Sequence, residues 1–350
     1  MSNVKYVAVN TKLRAMESKF FKNEDFEAML ACGSVEKLAE YLKSSRHYEE
    51  KYKDINAKTT NREELEHYAN MGVIEDIDRL ISFFHGKEKE FMKVLYLRYE
   101  IEQLKLFARR IVNSIRLKDK EPLNEASFPF LGKYCKIDRS ALLLSSTLAD
   151  IVRVYASSKI SRYVVPLLAN SEDISLFKFE TTLDLAYHSS VMRKTSLLSG
   201  YDKLHIRELL LVMADLYNLQ WILRGKYFYN IHPDILFNYS IPMGKKISKS
   251  YLRELCYDND YKNVHEKVRQ TKYAFLVEGS DRPKPYMMIR IKEYLHEHFI
   301  KERKKDQMSL IQAFTHVLIL KDQIDDITTI IELDKYHIED LDVSNYLIKF

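Results

Sequence analysis

The chain has 350 residues, of which 46% are hydrophobic and 30% charged, and it contains only 8 glycines and 7 prolines. So few turn-forming residues favour a helical protein, and the length allows two or three domains. The 55 basic residues are interleaved with 50 acidic ones, which leaves a formal charge of +5. This balance argues against nucleic acid as a partner, because nucleic-acid-binding domains carry a clear basic surplus.

The amino-terminal sequence MSNVKYVAVNTKLRAMES lacks the long apolar core of a signal peptide. The most apolar segment, residues 309–320, is interrupted by Gln312 and His316 and is too short to span a bilayer. The three cysteines are widely separated and odd in number, which is typical of reduced thiols in the cytosol. We therefore expect a soluble cytoplasmic protein that does not itself insert into the membrane.

Apolar residues at three- and four-residue steps predict pairs of long helices along the chain. The pairs cover residues 63–84 with 88–115, 171–198 with 204–224, and 286–304 with 309–333. The first pair is broken near His85-Gly86 and the second at Ser199-Gly200. No sustained alternating pattern with hairpin turns is present, so the predicted fold class is all-α.

A pair of polar residues three positions apart recurs in the apolar second helix of each predicted pair. These polar pairs are Glu100 with Gln103, Asp215 with Asn218, and Gln323 with Asp326. The second member recurs after 115 and then after 108 residues. The sequence therefore predicts three diverged helical repeat units, at residues 1–117, 118–229 and 230–350.

Asp215 and Asn218 lie in MADLYNLQWILRGK, a helical segment that is apolar nearly all round and is therefore expected to be buried. Buried polar side chains must find hydrogen-bond partners. A catalytic site would occur once, whereas this polar pair occurs three times with changing residue types. We therefore predict that the pairs are structural ties between packed helices, and that Trp221 contributes packing.

Other sequence motifs that could indicate a nucleotide, metal or catalytic site are weak. The run MGKKIS at residues 243–248 resembles a phosphate-binding loop, but Tyr239 stands where that loop needs a glycine. His296 and His298 point to different faces of a helix, and His316 stands alone on an apolar face. We expect no catalytic residue, metal or cofactor, although an enzyme that uses an unrecognised arrangement stays open.

Three segments together resemble one family. They are YVAVNTKLRAMES at 6–18, EKLAEYL at 36–42, and the DxxNLxxIxRGK signature from Asp215 to Lys226. The family is the C subunit of bacterial and archaeal V-type (A-type) ATPases, which is related to the d subunit of eukaryotic vacuolar ATPases. The resemblance covers essentially the whole chain. The polar pairs at Gln103 and at Gln323 with Asp326 depart from the usual family residues.

The resemblance implies three similar helical domains in a funnel with pseudo-threefold symmetry. It implies a non-catalytic central-stalk subunit at the cytoplasmic face of the membrane, which connects the rotating shaft to the membrane rotor ring. Such a subunit transmits torque for ATP-coupled H⁺ or Na⁺ transport and holds no cofactor. The alternative is an α-helical repeat scaffold of another complex, without catalytic activity.

Two Gly-Lys turns occupy equivalent places in the predicted repeat, each after a proline-bearing connector. They contain Lys133 in the first turn and Lys245 and Lys246 in the second. Cations exposed at such turns can attract acidic partners, so these three lysines are the candidate partner contacts.

Overall fold

The computed structural model describes residues 4–45, 52–117, 134, 137–279, 287–336 and 347–348. Within these residues the regular elements are helices and no strand occurs, which confirms the predicted all-α class. No helix in the described ranges is both long enough and apolar enough to cross a bilayer. Contacts group the chain into two compact units, formed by Met1–Lys89 with Pro285–Phe350 and by Glu90–Lys284.

The α-helices are numbered here in chain order. The first eight are α1 (Val4–Glu17), α2 (Asn23–Leu30), α3 (Val35–Ser44), α4 (Arg62–Ser82), α5 (Gly86–Met92), α6 (Val94–Leu117), α7 (Arg139–Leu143) and α8 (Leu148–Val154). They are followed by α9 (Ser161–Val164), α10 (Leu176–Lys194), α11 (Gly200–Tyr229), α12 (Pro233–Asn238), α13 (Lys249–Tyr257), α14 (Tyr261–Arg269), α15 (Met287–Lys305) and α16 (Ile311–Tyr336). Short 3₁₀ turns lie at Tyr155–Ser157, Val165–Asp173, Thr195–Leu197 and Ala274–Leu276.

In the unit that combines both ends of the chain, α16 is the central helix. It packs along α4 and also contacts α1, α2, α3 and α15. The first ten residues of α16 are all buried, as expected for a helix that is apolar all round. In the unit of Glu90–Lys284, α6 packs against α10, while α11 contacts α10, α12, α13 and α14.

The predicted long helices form with two differences. The helix expected at 88–115 is interrupted at Lys93, between α5 and α6. The helix expected from residue 171 begins later, as α10, because the side chain of Ser175 caps it by accepting a hydrogen bond from the Lys178 amide.

The breaks within the first two helix pairs occur at glycines. Gly86 has φ +52° and Gly200 has φ +53°, a left-handed conformation that glycine adopts without steric cost. The two glycines are 114 residues apart, close to the predicted repeat. The division into three repeat units at residues 1–117, 118–229 and 230–350 stays a prediction, since the two contact-based units do not test it.

Candidate functional site

Asp215 is fully buried and its carboxylate is surrounded by donors. Oδ2 accepts from the backbone amides of Lys245 at 3.1 Å and Lys246 at 2.7 Å, and Oδ1 accepts from the amide of Ile247 at 3.1 Å. The hydroxyl of Tyr273 donates to Oδ2 at 2.8 Å. Burial raises the pKa of Asp215, while these four hydrogen bonds oppose that shift.

The 243–248 loop therefore does bind an anion through successive backbone amides, as a phosphate-binding loop would. The anion is a side chain of the same chain, the Asp215 carboxylate. Gly244 makes this approach possible, because a Cβ at that position would lie 1.9 Å from Asp215 Oδ1 and 2.7 Å from the Ile247 carbonyl oxygen. The MGKKIS run thus resembles a phosphate-binding loop because its backbone amides bind a carboxylate of the same chain.

Asn218 binds the backbone of one residue with both ends of its amide. Its Nδ2 donates to the Ile241 carbonyl oxygen at 2.8 Å, and its Oδ1 accepts from the Ile241 amide at 2.8 Å. Asn218 is 2% exposed, so water does not compete for these bonds. Together with Asp215 it fixes the connector after α11 to the middle of that helix.

The third polar pair is also buried and bonded to backbone. Gln323 Nε2 donates to the Phe21 carbonyl oxygen at 2.8 Å, and its Oε1 accepts from the Phe21 amide at 3.3 Å. Asp326 Oδ2 accepts from the Ile348 amide at 3.0 Å. The partner of Asp326 is 22 residues downstream and that of Asn218 is 23 residues downstream, so the second members of these two pairs make corresponding bonds.

Asp326, unlike Asn218, has a side chain that can ionise. Its Oδ1 is buried and has no hydrogen-bond partner among the described residues. Burial raises the pKa of Asp326 to about 8, although the charge of Lys292 and the Ile348 amide act in the opposite direction. A carboxyl group with this pKa is largely protonated at neutral pH.

The first polar pair lies in a less enclosed place. Glu100 and Gln103 are both half-buried on α6. Glu100 is among the residues around a cavity of about 140 Å³ that also contacts Lys93 and Ser190. In the predicted repeat, the connector equivalent to the Asp215-binding loop is residues 118–132, which lies outside the described residues.

The predicted partner contacts have unequal surroundings. The side chain of Lys245 forms an ion pair with Glu208 on α11, and that of Lys246 is exposed. Lys133 lies outside the described residues.

Ion pairs connect α6 to α10 and α4 to α16. Arg109 on α6 binds Glu180 on α10 through Nε at 2.5 Å, and Arg62 on α4 binds Glu332 on α16. Arg109 and Glu332 occupy equivalent positions of the predicted repeat, six residues after the second member of each polar pair. The repeat position therefore supplies the cation in the contact of α6 with α10 and the carboxylate in the contact of α4 with α16.

A partly buried ion pair lies beside the Arg109 contact. The ammonium group of Lys105 on α6 binds Oδ1 of Asp184 on α10. Burial alone would lower the pKa of Lys105, but the charges of Asp184 and Glu102 outweigh it and raise that pKa. Burial raises the pKa of Asp184 despite the charge of Lys105, and the contact between the two side chains ties two long helices together.

Groups that could hold a metal ion are not assembled in the described part of the chain. No cluster of three or more histidine, cysteine or carboxylate side chains with metal-binding geometry occurs there. His316 is fully buried, and its Nδ1 lies 3.0 Å from Oε1 of Glu17, which also binds Arg303. A single hydrogen-bonded core histidine is a structural feature.

Sequence reasoning identified the acids and amides but not the groups that bind them. Tyr273 and the Ile241 backbone are distant from Asp215 and Asn218 in sequence and carry no motif, and the MGKKIS run that contains Gly244 does not by its pattern point to Asp215. The distance of 22 to 23 residues between the second member of a polar pair and its backbone partner becomes visible only in the folded chain.

Comparisons with known proteins give one family. A model of the ATP synthase (C/AC39) subunit family matches residues 9–346. The C subunit of the A-type ATP synthase of Pyrococcus furiosus is 21% identical over 334 residues, which are 94% of this chain and 86% of that protein. The C subunit of the A-type ATP synthase of Methanocaldococcus jannaschii is 22% identical over 302 residues, covering 86% and 74%.

A V-type relative is similar over a shorter stretch. The C subunit of the V-type ATP synthase of Deinococcus radiodurans is 25% identical over 108 residues, which are 31% of this chain and 30% of that protein. The identities are low, but the family match runs through nearly the whole length, including the Asp215 and Asp326 helices. This chain belongs to the ATP synthase (C/AC39) subunit family.

Proposed function

We propose that this chain is the central-stalk subunit that connects the rotating shaft of an A- or V-type ATPase to its membrane rotor ring. As a family member it is a non-catalytic subunit of an A- or V-type ATP synthase. In the proposed role it transmits torque between ATP turnover and H⁺ or Na⁺ movement. It stays peripheral to the membrane, on the cytoplasmic side. The observation that carries the proposal is the family match over residues 9–346.

The internal bonds of the chain support a torque-bearing role. A part that transmits torque must resist deformation, and buried polar networks with all members satisfied make a core rigid. Asp215 and Asn218 bind the connector after α11 with five hydrogen bonds, and Gln323 binds the backbone near the amino terminus with two more. Ties of this kind hold loops to long helices without adding flexible linkers.

The three-domain funnel with pseudo-threefold symmetry is part of the same proposal. It is supported by the corresponding bonds of Asn218 and Asp326, and by the equivalent left-handed glycines Gly86 and Gly200. The turns with Lys133, Lys245 and Lys246 are proposed as partner contacts at one rim. Lys246 is the strongest candidate of the three for a partner contact, because its side chain is exposed while Lys245 is paired with Glu208.

Reconstitution tests the proposed function. The complex is assembled from purified shaft and membrane ring, with and without this chain, and ATP-driven ion transport into vesicles is measured. The proposal expects co-purification with both partners and transport that depends on the chain. Full coupling without the chain, or binding to neither partner, contradicts it. Lys246→Glu should weaken binding to the shaft or to the ring. Unchanged binding to both partners would show that this turn is not part of the interface.

A further inference from the structure

One open pocket in the unit of Glu90–Lys284 is lined by cations without acids. It has a volume of about 520 Å³ and lies between α9, α10, the following 3₁₀ turn and the start of α11. Four basic side chains surround it, and no carboxylate is among the residues that line it. The four are Arg162, Arg193, Lys203 and Arg207.

These four side chains are exposed, and none of them forms an ion pair within the described residues. The contrast with the rest of the unit is clear, because several other cations there are paired with carboxylates, namely Lys105, Arg109, Lys245 and Lys267. The guanidinium of Arg162 contacts the ring and hydroxyl of its neighbour Tyr163. In a chain with nearly equal numbers of acids and bases, a group of four cations without acids is a local excess of charge.

Folding stability gives no reason for this arrangement. Lys203 lies in the first turn of α11, where the positive end of the helix dipole disfavours a cation. Arg207 follows four residues later on the same face, and like charges at this spacing destabilise a helix. The cluster therefore costs the free chain stability, which a negatively charged partner would recover.

The rest of the lining fits a protein partner. Tyr163, Met192 and Met243 contribute apolar and polarisable surface between the cations. Tyrosine, methionine and arginine are enriched at protein interfaces. Small-molecule sites, by contrast, enclose their ligand with mostly apolar walls, whereas all four cations here reach solvent. Met243 also joins the pocket to the loop that contains Lys245 and Lys246.

We propose that this pocket, between Arg162, Arg193, Lys203 and Arg207, is the docking site for an acidic segment of a partner protein. Carboxylates of that segment pair with the cations, and its apolar side chains contact the tyrosine and the two methionines of the lining. The inference rests on the proposed function, which supplies the shaft and the rotor ring as partners. It does not depend on which of the two binds here.

The test measures the affinity of the full-length chain for purified shaft and, separately, for purified ring, at low and at moderate salt. The double variant Lys203→Glu with Arg207→Glu should bind one of these partners at least tenfold more weakly. It should also lose most of the salt dependence of that affinity. Lys203→Ala with Arg207→Ala serves as a second variant in case charge reversal disturbs folding, and it should weaken binding in the same direction.

The matched control is Lys262→Glu with Lys272→Glu. These two lysines are exposed in the same unit, and reversing them changes the net charge by the same amount. Control affinities should equal those of the wild type.

Pocket variants that fold and bind shaft and ring like the wild type overturn the docking site and leave the proposed function standing. Binding of the wild type and of the pocket variants to vesicles of anionic phospholipid is measured in parallel. If the pocket variants lose only this binding, the site is a lipid site and this proposal is wrong. A wild-type chain that binds neither partner contradicts the proposed function itself.

Discussion

The carboxylate of Asp215 occupies the space that a side chain at position 244 would need. A Cβ on Gly244 would stand 1.9 Å from Oδ1, far closer than non-bonded atoms approach each other. The glycine is not required by a left-handed backbone, since it is absent from the positive-φ residues. Its function is to let three amides of the loop reach a buried carboxylate, so glycine and acid form one structural element.

Gly244→Ala should therefore destabilise the chain. The added methyl group must displace either the Asp215 carboxylate or the loop backbone, and overpacking of this kind costs about 1–3 kcal/mol. Urea unfolding at neutral pH measures the loss. Gly225→Ala is the matched control, because its Cβ would come closest to the flexible end of Leu236 and alanine favours a helix interior. Equal stabilities of the two variants would show that the carboxylate does not need the glycine.

Asn218→Leu tests the bond to the connector. Leucine has a similar size but leaves the amide and the carbonyl of Ile241 without partners in a buried place. Each unsatisfied buried group costs about 1–3 kcal/mol, so the unfolding midpoint should fall markedly. Assembly of the folded fraction with shaft and ring should be unchanged. A variant with wild-type stability that has lost coupling would instead show that Asn218 acts in function directly.

Helices and buried polar residues can be predicted from the sequence because both depend on local patterns. Asp215 and Asn218 stand out because they interrupt an apolar helix, and the break at Gly200 follows from glycine chemistry. The partners of the polar residues depend on where distant loops return, as the contact between Asp215 and Tyr273 shows. The basic pocket was missed for the same reason, since Arg162 and Arg207 become neighbours only in the folded unit.

The partly buried pair of Lys105 and Asp184 should behave as a coupled unit. Lys105→Met leaves the half-buried Asp184 carboxylate without its cation, and the loss of this partner should cost about 1–3 kcal/mol. The double variant Lys105→Met with Asp184→Leu removes both charges and should recover most of that loss. Unfolding free energies of the wild type, both single variants and the double variant give the coupling. Additive losses would mean that the two side chains do not stabilise each other.

Asp326 should make the stability of the chain depend on pH. Burial raises its pKa to about 8, so the folded chain holds this proton more tightly than the unfolded chain does. The stability that the bound proton contributes is complete below the pKa of the unfolded chain, about 4, and is lost as the pH rises to 8. Asp326→Asn keeps an oxygen acceptor for the Ile348 amide but cannot ionise. The difference in unfolding free energy, variant minus wild type, should therefore increase by about 1 kcal/mol per pH unit between pH 5 and 8. Above pH 8 it should stay constant.

The neighbouring Asp325→Asn is the control for this experiment. Although burial alone would raise the pKa of Asp325, the charges of Lys292 and Lys321 outweigh it and lower that pKa, so Asp325 is already ionised across this range. Its replacement should destabilise the chain at every pH from 5 to 9, because two lysines lose their partner. Parallel pH profiles for the wild type and Asp326→Asn would show that Asp326 is ionised in the folded chain. The Ile348 amide and Lys292 would then stabilise the buried charge more strongly than burial opposes it.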